Sequence, residues 1–357
     1  MIRTSRVRIH VSALRHNFSR VRAYAPESRV ISVIKSEAYG HGMVRVAEIL
    51  AESDAFAVAC VDEALGLRAA GIRQPIVVLQ GFYSRQQLDS LAGREIQPVI
   101  HHPAQLDMLE QASLKPLSVW LKLDTGMGRL GFQADQFEAA LQRLKGMPSI
   151  ETIRLMSHFA NGDDPAAPSN TQQIDEFVRL TAGHQEEKSL ANSAGLIRFP
   201  EARFDWVRPG IMLYGSSPVQ HQSAAELDLQ PVMSLQSRVI AVKQLRQGDS
   251  VGYGSLWVCP EAMPVGFVAT GYADGYPRHA PTGTPVSING QITRSLGRVS
   301  MDAIAVDLRP VPQVKLGDVA ELWGQHVSVD DVAKHAETIG YELLCHAGGA
   351  CQVEICD

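Results

Sequence analysis

VISVIKSEAYGHG, residues 30–42, opens as an apolar run that would fill a buried strand, then reaches Lys35, Tyr39 and two glycines within a few positions. Burying an ammonium is expensive unless something pairs or uses it. A lysine at the end of a core strand therefore needs a task or an exit to water. The run is one of a series: RVISVIK, AFAVAC, PIVVLQ, IQPVIHH, LSVWLKLD, IETIRLMSH, KSLAN and FDWVR are short and nearly continuous in apolar character, as strands covered on both faces are. Between them VSALRHNFSRVRAYA (11–25), MVRVAEILAES (43–53), VDEALGLRAAG (61–71), PAQLDMLEQAS (103–113) and ADQFEAALQRLKG (134–146) space their apolar residues three and four apart, the helical period. Eight strand–helix units in succession predict a (β/α)8 barrel.

Beyond about residue 230 the pattern changes. Short alternating runs separated by Gly, Pro and Asp, such as PVMSLQSRVIAVKQL, TPVSINGQI and VSMDAIAVDL, predict antiparallel strands. One helical segment, DDVAKHAETIGYE (330–342), is embedded near the end. The expected fold class is α/β, an N-terminal TIM-like barrel over residues 1–225 followed by a mainly antiparallel β domain over 226–357.

Composition narrows the function. With 45% hydrophobic and 20% charged residues the chain is an ordinary globular sequence, and a net charge of −5 offers no basic footprint for nucleic acid or an anionic membrane. The opening MIRTSRVRIHVSALRHNF has no continuous apolar core and does not read as a signal peptide, and nothing approaches a membrane span. A cytoplasmic location is expected. Five cysteines, unevenly spread, argue against a disulfide framework, and no paired Cys or His spacing supports a metal site.

Barrel enzymes place their chemistry where strands end. Lys35 ends the first predicted strand, Lys122 and Asp124 the fifth, His158 the sixth, Asn192 the seventh and Arg208 the eighth. Five strands thus bring ionisable or hydrogen-bonding groups to one rim. Ser193 and Gly195 follow the seventh strand, Gly210 and Ile211 the eighth, where barrels often cradle a phosphate on backbone N–H groups. A lysine on the same rim points to pyridoxal phosphate, which bonds to lysine and needs a partner for its ring nitrogen. Asp124, before Thr-Gly, and Asp274, in YADG, read as turn residues; His41, between glycines, reads as exposed.

VIKSEAYGHG (33–42), LKLDTGMGRLGF (121–132), MSHFA (156–160), NSAG (192–195), VRPGIMLYG (207–215), VGYG (251–254), GYADGYPR (271–278) and GRVSMDAIAVDL (297–308) occur in this order along the chain. Through them the sequence resembles the bacterial alanine racemases, pyridoxal-phosphate enzymes of fold type III. The resemblance implies that Lys35 bonds the cofactor, that Tyr39, Ser193, Gly210, Ile211 and Tyr341 hold its phosphate, and that Asn192 lies beside it. By the same resemblance Arg208 would face the ring nitrogen, and His158 would link Arg208 to Tyr253. Arg129 would sit by the cofactor phenolate and the substrate carboxylate, and Lys122 stands where the family often has a carbamylated lysine holding that arginine. Tyr253, Met301 and Asp302 are implied to reach the partner's site in a homodimer, with Tyr272 at the substrate entrance.

On this reading alanine is racemised by two acid–base groups, Lys35 for the D-isomer and Tyr253 for the L-isomer, because a planar carbanion has two faces and one side chain cannot serve both. A tyrosine of ordinary pKa, about 10, is a poor base near neutrality, and the Tyr253–His158–Arg208 chain is the implied source of activation. D-Alanine would supply peptidoglycan or feed catabolism. The alternatives are a broad-specificity amino-acid racemase and a pyridoxal-phosphate-binding protein without turnover. Two departures stand out. Glu37 replaces the usual Asn or Asp, and the tail CHAGGACQVEICD lacks the Arg-Val-Pro motif common in the family.

Overall fold

The computed structural model describes residues 4–112 and 115–357. The chain enters through β1 (Arg6–His10) and a helix (Val11–Tyr24). It then forms β2 (Arg29–Val33), β3 (Ala55–Val58), β4 (Ile76–Val78), β5 (Ile96–Ile100), β6 (Leu117–Lys122), β7 (Ile150–Met156), β8 (Lys188–Ser189) and β9 (Trp206–Val207). Strands β2 to β9 lie parallel in the order β8-β7-β6-β5-β4-β3-β2-β9. A parallel bridge between Asn192 and Arg208 closes the ring, supported by the Arg208 N–H donating to the Ala191 carbonyl at 2.9 Å. All eight predicted barrel strands are present. Strands β3, β4 and β5 are buried throughout and the others in large part, β7 being buried only at its last two residues, because the barrel interior covers one face and helices the other.

The predicted helices form at Val11–Tyr24, Met43–Ile49, Val61–Ala69, Pro103–Glu110 and Ala134–Lys145; the end of the fourth prediction, residue 113, lies outside the described residues. A further helix, Ser169–Leu180, has no counterpart among them. Its buried face mixes Ile174 and Phe177 with Asn170 and Gln173, so the apolar period is broken. The floor of the barrel is sealed by Glu187, which accepts from Arg154 Nε (2.7 Å) and Trp206 Nε1 (2.9 Å), while the Arg29 guanidinium lies 4.2 Å from the Trp206 ring centroid. Chemistry is left to the opposite end.

The second sheet consists of β10 (Met233–Leu245), β13 (Met263–Val268), β14 (Pro285–Ile288), β15 (Gln291–Leu296), β16 (Ile304–Asp307), β17 (Val319–Trp323) and β18 (Gln352–Cys356), joined by β1; β11 (Ser250–Val251) and β12 (Trp257–Val258) form a separate hairpin. Strand β10 shifts register between Val239 and Ala241, so its first half pairs with β1 and β17 and its second half with β13. The β1 strand therefore belongs physically to the second sheet although it precedes the barrel in sequence. The divergent tail supplies β18, parallel to β1.

The single helix expected over 330–342 is two, Val329–His335 and Gly340–Ala350. Glu337 adopts a left-handed φ of 51°, which ends the first, and the second runs on through the Gly348–Gly349 pair.

Candidate active site

Beyond β2 the backbone turns the wrong way. Ser36, Glu37, Ala38 and Tyr39 all have φ between 51° and 54°, a left-handed turn of four residues, none of them glycine. Such a conformation costs roughly 1–2 kcal/mol per residue and persists only when its surroundings over-determine it. Three side chains do so. Glu63 accepts from the Ser36 N–H (2.7 Å) and the Ala59 N–H (2.6 Å). Glu37, the departure from the family pattern, accepts from the Met43 N–H (3.1 Å), a span that suits its longer side chain. His41 Nδ1 lies 2.9 Å from the Ala38 carbonyl and 3.0 Å from that of Tyr39. The expectation that His41 is exposed is corrected: it is fully buried, because the turn folds back over it and Tyr214 packs against its ring.

The turn opens onto a cavity of about 410 Å³ at the C-terminal ends of the barrel strands. Lys35, Tyr39, Lys122, Arg129, His158, Asn192, Ser193, Arg208, Gly210, Ile211 and Tyr341 all line it. Arg208 is buried, donating from Nη1 to Ser189 Oγ (2.5 Å) and from Nη2 to the Ser157 carbonyl (2.6 Å) and the Leu190 carbonyl (3.2 Å). The same Nη2 lies 3.2 Å from His158 Nδ1. A guanidinium has only donors, so Nδ1 accepts and the imidazole proton resides on Nε2. Burial, then the positive charge of Arg208 and Lys122, holds His158 well below its ordinary pKa, and it is neutral.

Four cations, Lys35, Lys122, Arg129 and Arg208, share the cavity, and no Asp or Glu is among its lining residues. Burial and the neighbouring Arg129 lower the Lys35 pKa. Burial, followed by Arg208 and Arg129, brings Lys122 down to about 8, and burial takes Arg208 to about 10. Lysines in such a setting are reactive as neutral amines, and the field demands an anionic ligand. At the far side the Ser193 hydroxyl accepts from the Gly210 N–H (2.8 Å). A Cβ on Gly210 would lie 2.6 Å from the Tyr39 hydroxyl, so only glycine permits this approach. Asn192 accepts from the Gly195 N–H (2.9 Å) and caps the short helix that follows.

Asp124 does what a turn residue should. One of its oxygens accepts from the N–H groups of Gly126, Met127 and Gly128, each at 3.0 Å, shaping the loop that carries Arg129. Asp274 accepts from the Gly271 N–H (3.0 Å), likewise a turn. Sequence reasoning passed over Gln173, which accepts from the Ala160 N–H (2.8 Å) and donates to the His158 carbonyl (2.9 Å), and over Ala59, Leu79 and Gln80, which line the cavity at the ends of β3 and β4. These last carry no charge, so nothing in the sequence singled them out.

Tyr253, Tyr272, Met301 and Asp302 are not among the lining residues. They lie on the β domain, with Tyr253 67% and Met301 53% exposed; the Tyr272 N–H donates to the Ser300 carbonyl (3.1 Å) and that of Ala273 to the Met301 carbonyl (3.0 Å), which ties the two segments together.

Known proteins match this chain along nearly its whole length. The family model described as "Alanine racemase, N-terminal domain" matches residues 9–218, and that of the C-terminal domain residues 232–355. Alanine racemase of Nitrosococcus oceani is 49% identical over 343 residues, covering 96% of each chain, and that of Coxiella burnetii (strain RSA 493 / Nine Mile phase I) is 48% identical over 344 residues, 94% of each. The crystal structure of the biosynthetic alanine racemase from Pseudomonas aeruginosa superimposes with a TM-score of 0.96 at 42% identity over 100% of both chains, and the alanine racemase of Acinetobacter baumannii with 0.94 at 39% identity over 99% of this chain and 100% of that one. A strand-end lysine in a cationic barrel mouth, backed by a second β sheet and matched by relatives along nearly its whole length, places this chain in the alanine racemase family.

Proposed function

We propose that the chain racemises alanine with pyridoxal phosphate, as a cytoplasmic homodimer in which each β domain completes the partner's cavity, supplying D-alanine for peptidoglycan or for catabolism. The observation that carries the cofactor is the cavity itself: four cations, no lining carboxylate, and a lysine whose pKa is lowered, at the mouth of a barrel. These residues fit the group. Tyr39, Ser193, Gly210, Ile211 and Tyr341 would hold its phosphate, Lys35 its aldehyde carbon, and Arg208 its ring nitrogen, with Asn192 alongside. When bound, the cofactor supplies an aldehyde that condenses with the substrate amine and a ring that draws electrons from the α-carbon.

The protein's own groups then move the proton. Lys35, whose pKa burial lowers, takes or returns the α-proton on one face. Tyr253 of the partner subunit serves the other. His158 presents Nε2–H, the tautomer that Arg208 dictates, and a neutral donor of this kind stabilises a phenolate without adding another charge. Arg208 keeps its proton, since even at about 10 its pKa lies far above neutrality, so it would donate a hydrogen bond to the ring nitrogen rather than protonate it.

Arg129 would take the substrate carboxylate, with Met301 and Asp302 brought by the partner and Tyr272 at the entrance. Lys122, brought down to about 8, is poised to add carbon dioxide as a neutral amine, and the resulting carbamate would set one anion beside Arg129. No helix among the described residues is long and apolar enough to cross a membrane.

Incubating the purified protein with either enantiomer of alanine in deuterium oxide, then reducing with borohydride and mapping the labelled peptide, tests the reading. The expected outcome is α-deuteration with inversion and a label on Lys35. Exchange without inversion, or a label elsewhere, sinks it.

A further inference from the structure

His41 is buried beside the cavity yet is not one of its lining residues, so neither substrate nor cofactor gives it a role. Its ring is unevenly used. Both partners of Nδ1 are carbonyl oxygens, those of Ala38 and Tyr39, so Nδ1 carries the proton. Nε2 is buried with no hydrogen-bond partner among the described residues. An apolar ring would fill the same space without stranding a nitrogen, so what this site exploits is the other nitrogen.

What that nitrogen holds is the second half of the left-handed turn, the half that carries Tyr39. Backbone bonds hold part of the turn: the Ala38 N–H donates to the Ile34 carbonyl (2.9 Å), the Gly42 N–H to that of Glu37 (2.8 Å) and the His41 N–H to that of Ala38 (3.1 Å). Between them the Ala38 and Tyr39 carbonyls both point at one imidazole. The ring packs 4.6 Å from that of Tyr214, Tyr214 packs 4.8 Å from Tyr39, and the Tyr214 hydroxyl donates to the Val33 carbonyl (3.0 Å) at the end of β2. His41, Tyr214 and Tyr39 thus form one stack that spans the turn from its exit back to its origin. Burial pushes the His41 imidazole down to about 4, which keeps it a neutral single donor near neutral pH.

We propose that His41 is a positioning residue: its Nδ1–H, shared by the Ala38 and Tyr39 carbonyls, locks the left-handed turn before any ligand arrives, so that Lys35 and Tyr39 are presented together to a phosphorylated aldehyde. This rests on the pyridoxal-phosphate reading above for its ligand but not for its geometry.

Three substitutions separate the nitrogens from the ring. His41→Asn places an amide nitrogen near Nδ1, His41→Gln places one near Nε2, and His41→Phe keeps the packing against Tyr214 without either. Amide hydrogen exchange over residues 36–42 is measured on the apo chain, and its dissociation constant for pyridoxal phosphate is taken by absorbance titration. Losing one buried hydrogen bond should raise that constant by about 10-fold or more in the Phe and Gln variants and speed exchange across the turn, with Asn restoring both to within about 3-fold of the wild type.

Equal behaviour of Asn and Gln, or wild-type exchange and affinity in Phe, overturns the proposal; if Phe does not fold, the Asn–Gln pair decides alone. Exchange is read without cofactor, so the two ideas can fail separately. Wild-type protein that takes up no pyridoxal phosphate but has a His41-dependent turn would sink the cofactor reading, and normal uptake with a turn indifferent to His41 would sink the brace.

Discussion

Lys122 is the residue whose charge is hardest to accommodate. It is 9% exposed, faces three other cations, and has its pKa lowered from 10.5 to about 8. Between those two values the unfolded chain binds a proton that the folded chain rejects, so stability rises with pH across that window and the full penalty, about 3 kcal/mol, is felt below pH 8. Lys122→Met should therefore stabilise the apo protein at pH 7 and flatten its pH dependence between 8 and 10.5, as read from urea midpoints in carbonate-free buffer. Adding bicarbonate should stabilise the wild type but not the variant, since only an amine can become a carbamate. Tyr253→Phe is expected to behave differently. Loss of one acid–base group should lower kcat by roughly 10²–10⁴-fold with cofactor content unchanged, while α-proton exchange into solvent continues from D-alanine and stops from L-alanine, which proton NMR in deuterium oxide can follow.

The element that organises the site is the turn over 36–39, and it is seated on the helix Gly340–Ala350. That helix begins with Tyr341 in the cavity and crosses the turn at Gly348, where a Cβ would lie 1.9 Å from the Gly40 carbonyl oxygen. Gly40 itself, at φ 82°, would put a Cβ 2.3 Å from the Leu344 carbonyl oxygen. Backbone meets backbone here, and neither side can yield as a side chain could. Gly348→Ala should lower stability by about 1–3 kcal/mol through overpacking and, by displacing Tyr341, raise the dissociation constant for pyridoxal phosphate; thermal melts and cofactor titration check the two effects. The unusual tail thus retains a close crossing although its Arg-Val-Pro motif is gone, and β18 docks it against β1.

At the scale of the molecule, two sheets of eight strands each divide the work. The barrel carries the cavity, while the β domain bears Tyr253, Tyr272, Met301 and Asp302 on its surface, outside that cavity. If those groups serve a second copy, complementation should reveal it. Lys35→Ala and Tyr253→Phe are each expected to be nearly inactive alone. A mixed dimer keeps one intact site, with Lys35 from one subunit and Tyr253 from the other, so random equimolar mixing should recover about a quarter of wild-type activity. No recovery under conditions in which subunits exchange, shown by mass spectrometry of tagged chains, would argue against shared sites.

What could be read from the sequence was whatever one strand or one helix fixes by itself. Barrel strands covered on both faces are largely apolar runs, and their regular alternation with helical segments made all eight legible, and with them the polar residues at their ends. Asp124 was legible as a turn because Asp before Thr-Gly has a local reason to bond the backbone ahead of it. Only tertiary structure decided the rest. Nothing in Ser-Glu-Ala-Tyr encodes a left-handed turn, which exists because Glu63, His41 and the helix at Gly348 hold it from outside. The Ser169–Leu180 helix was hidden because Gln173 spends its place on the buried face binding the His158 loop. The strand Arg6–His10 went unread, since its partners, register and sheet membership are set by strands more than two hundred residues away. Local patterning determined which elements form; long-range hydrogen bonds and packing determined where the reactive groups meet.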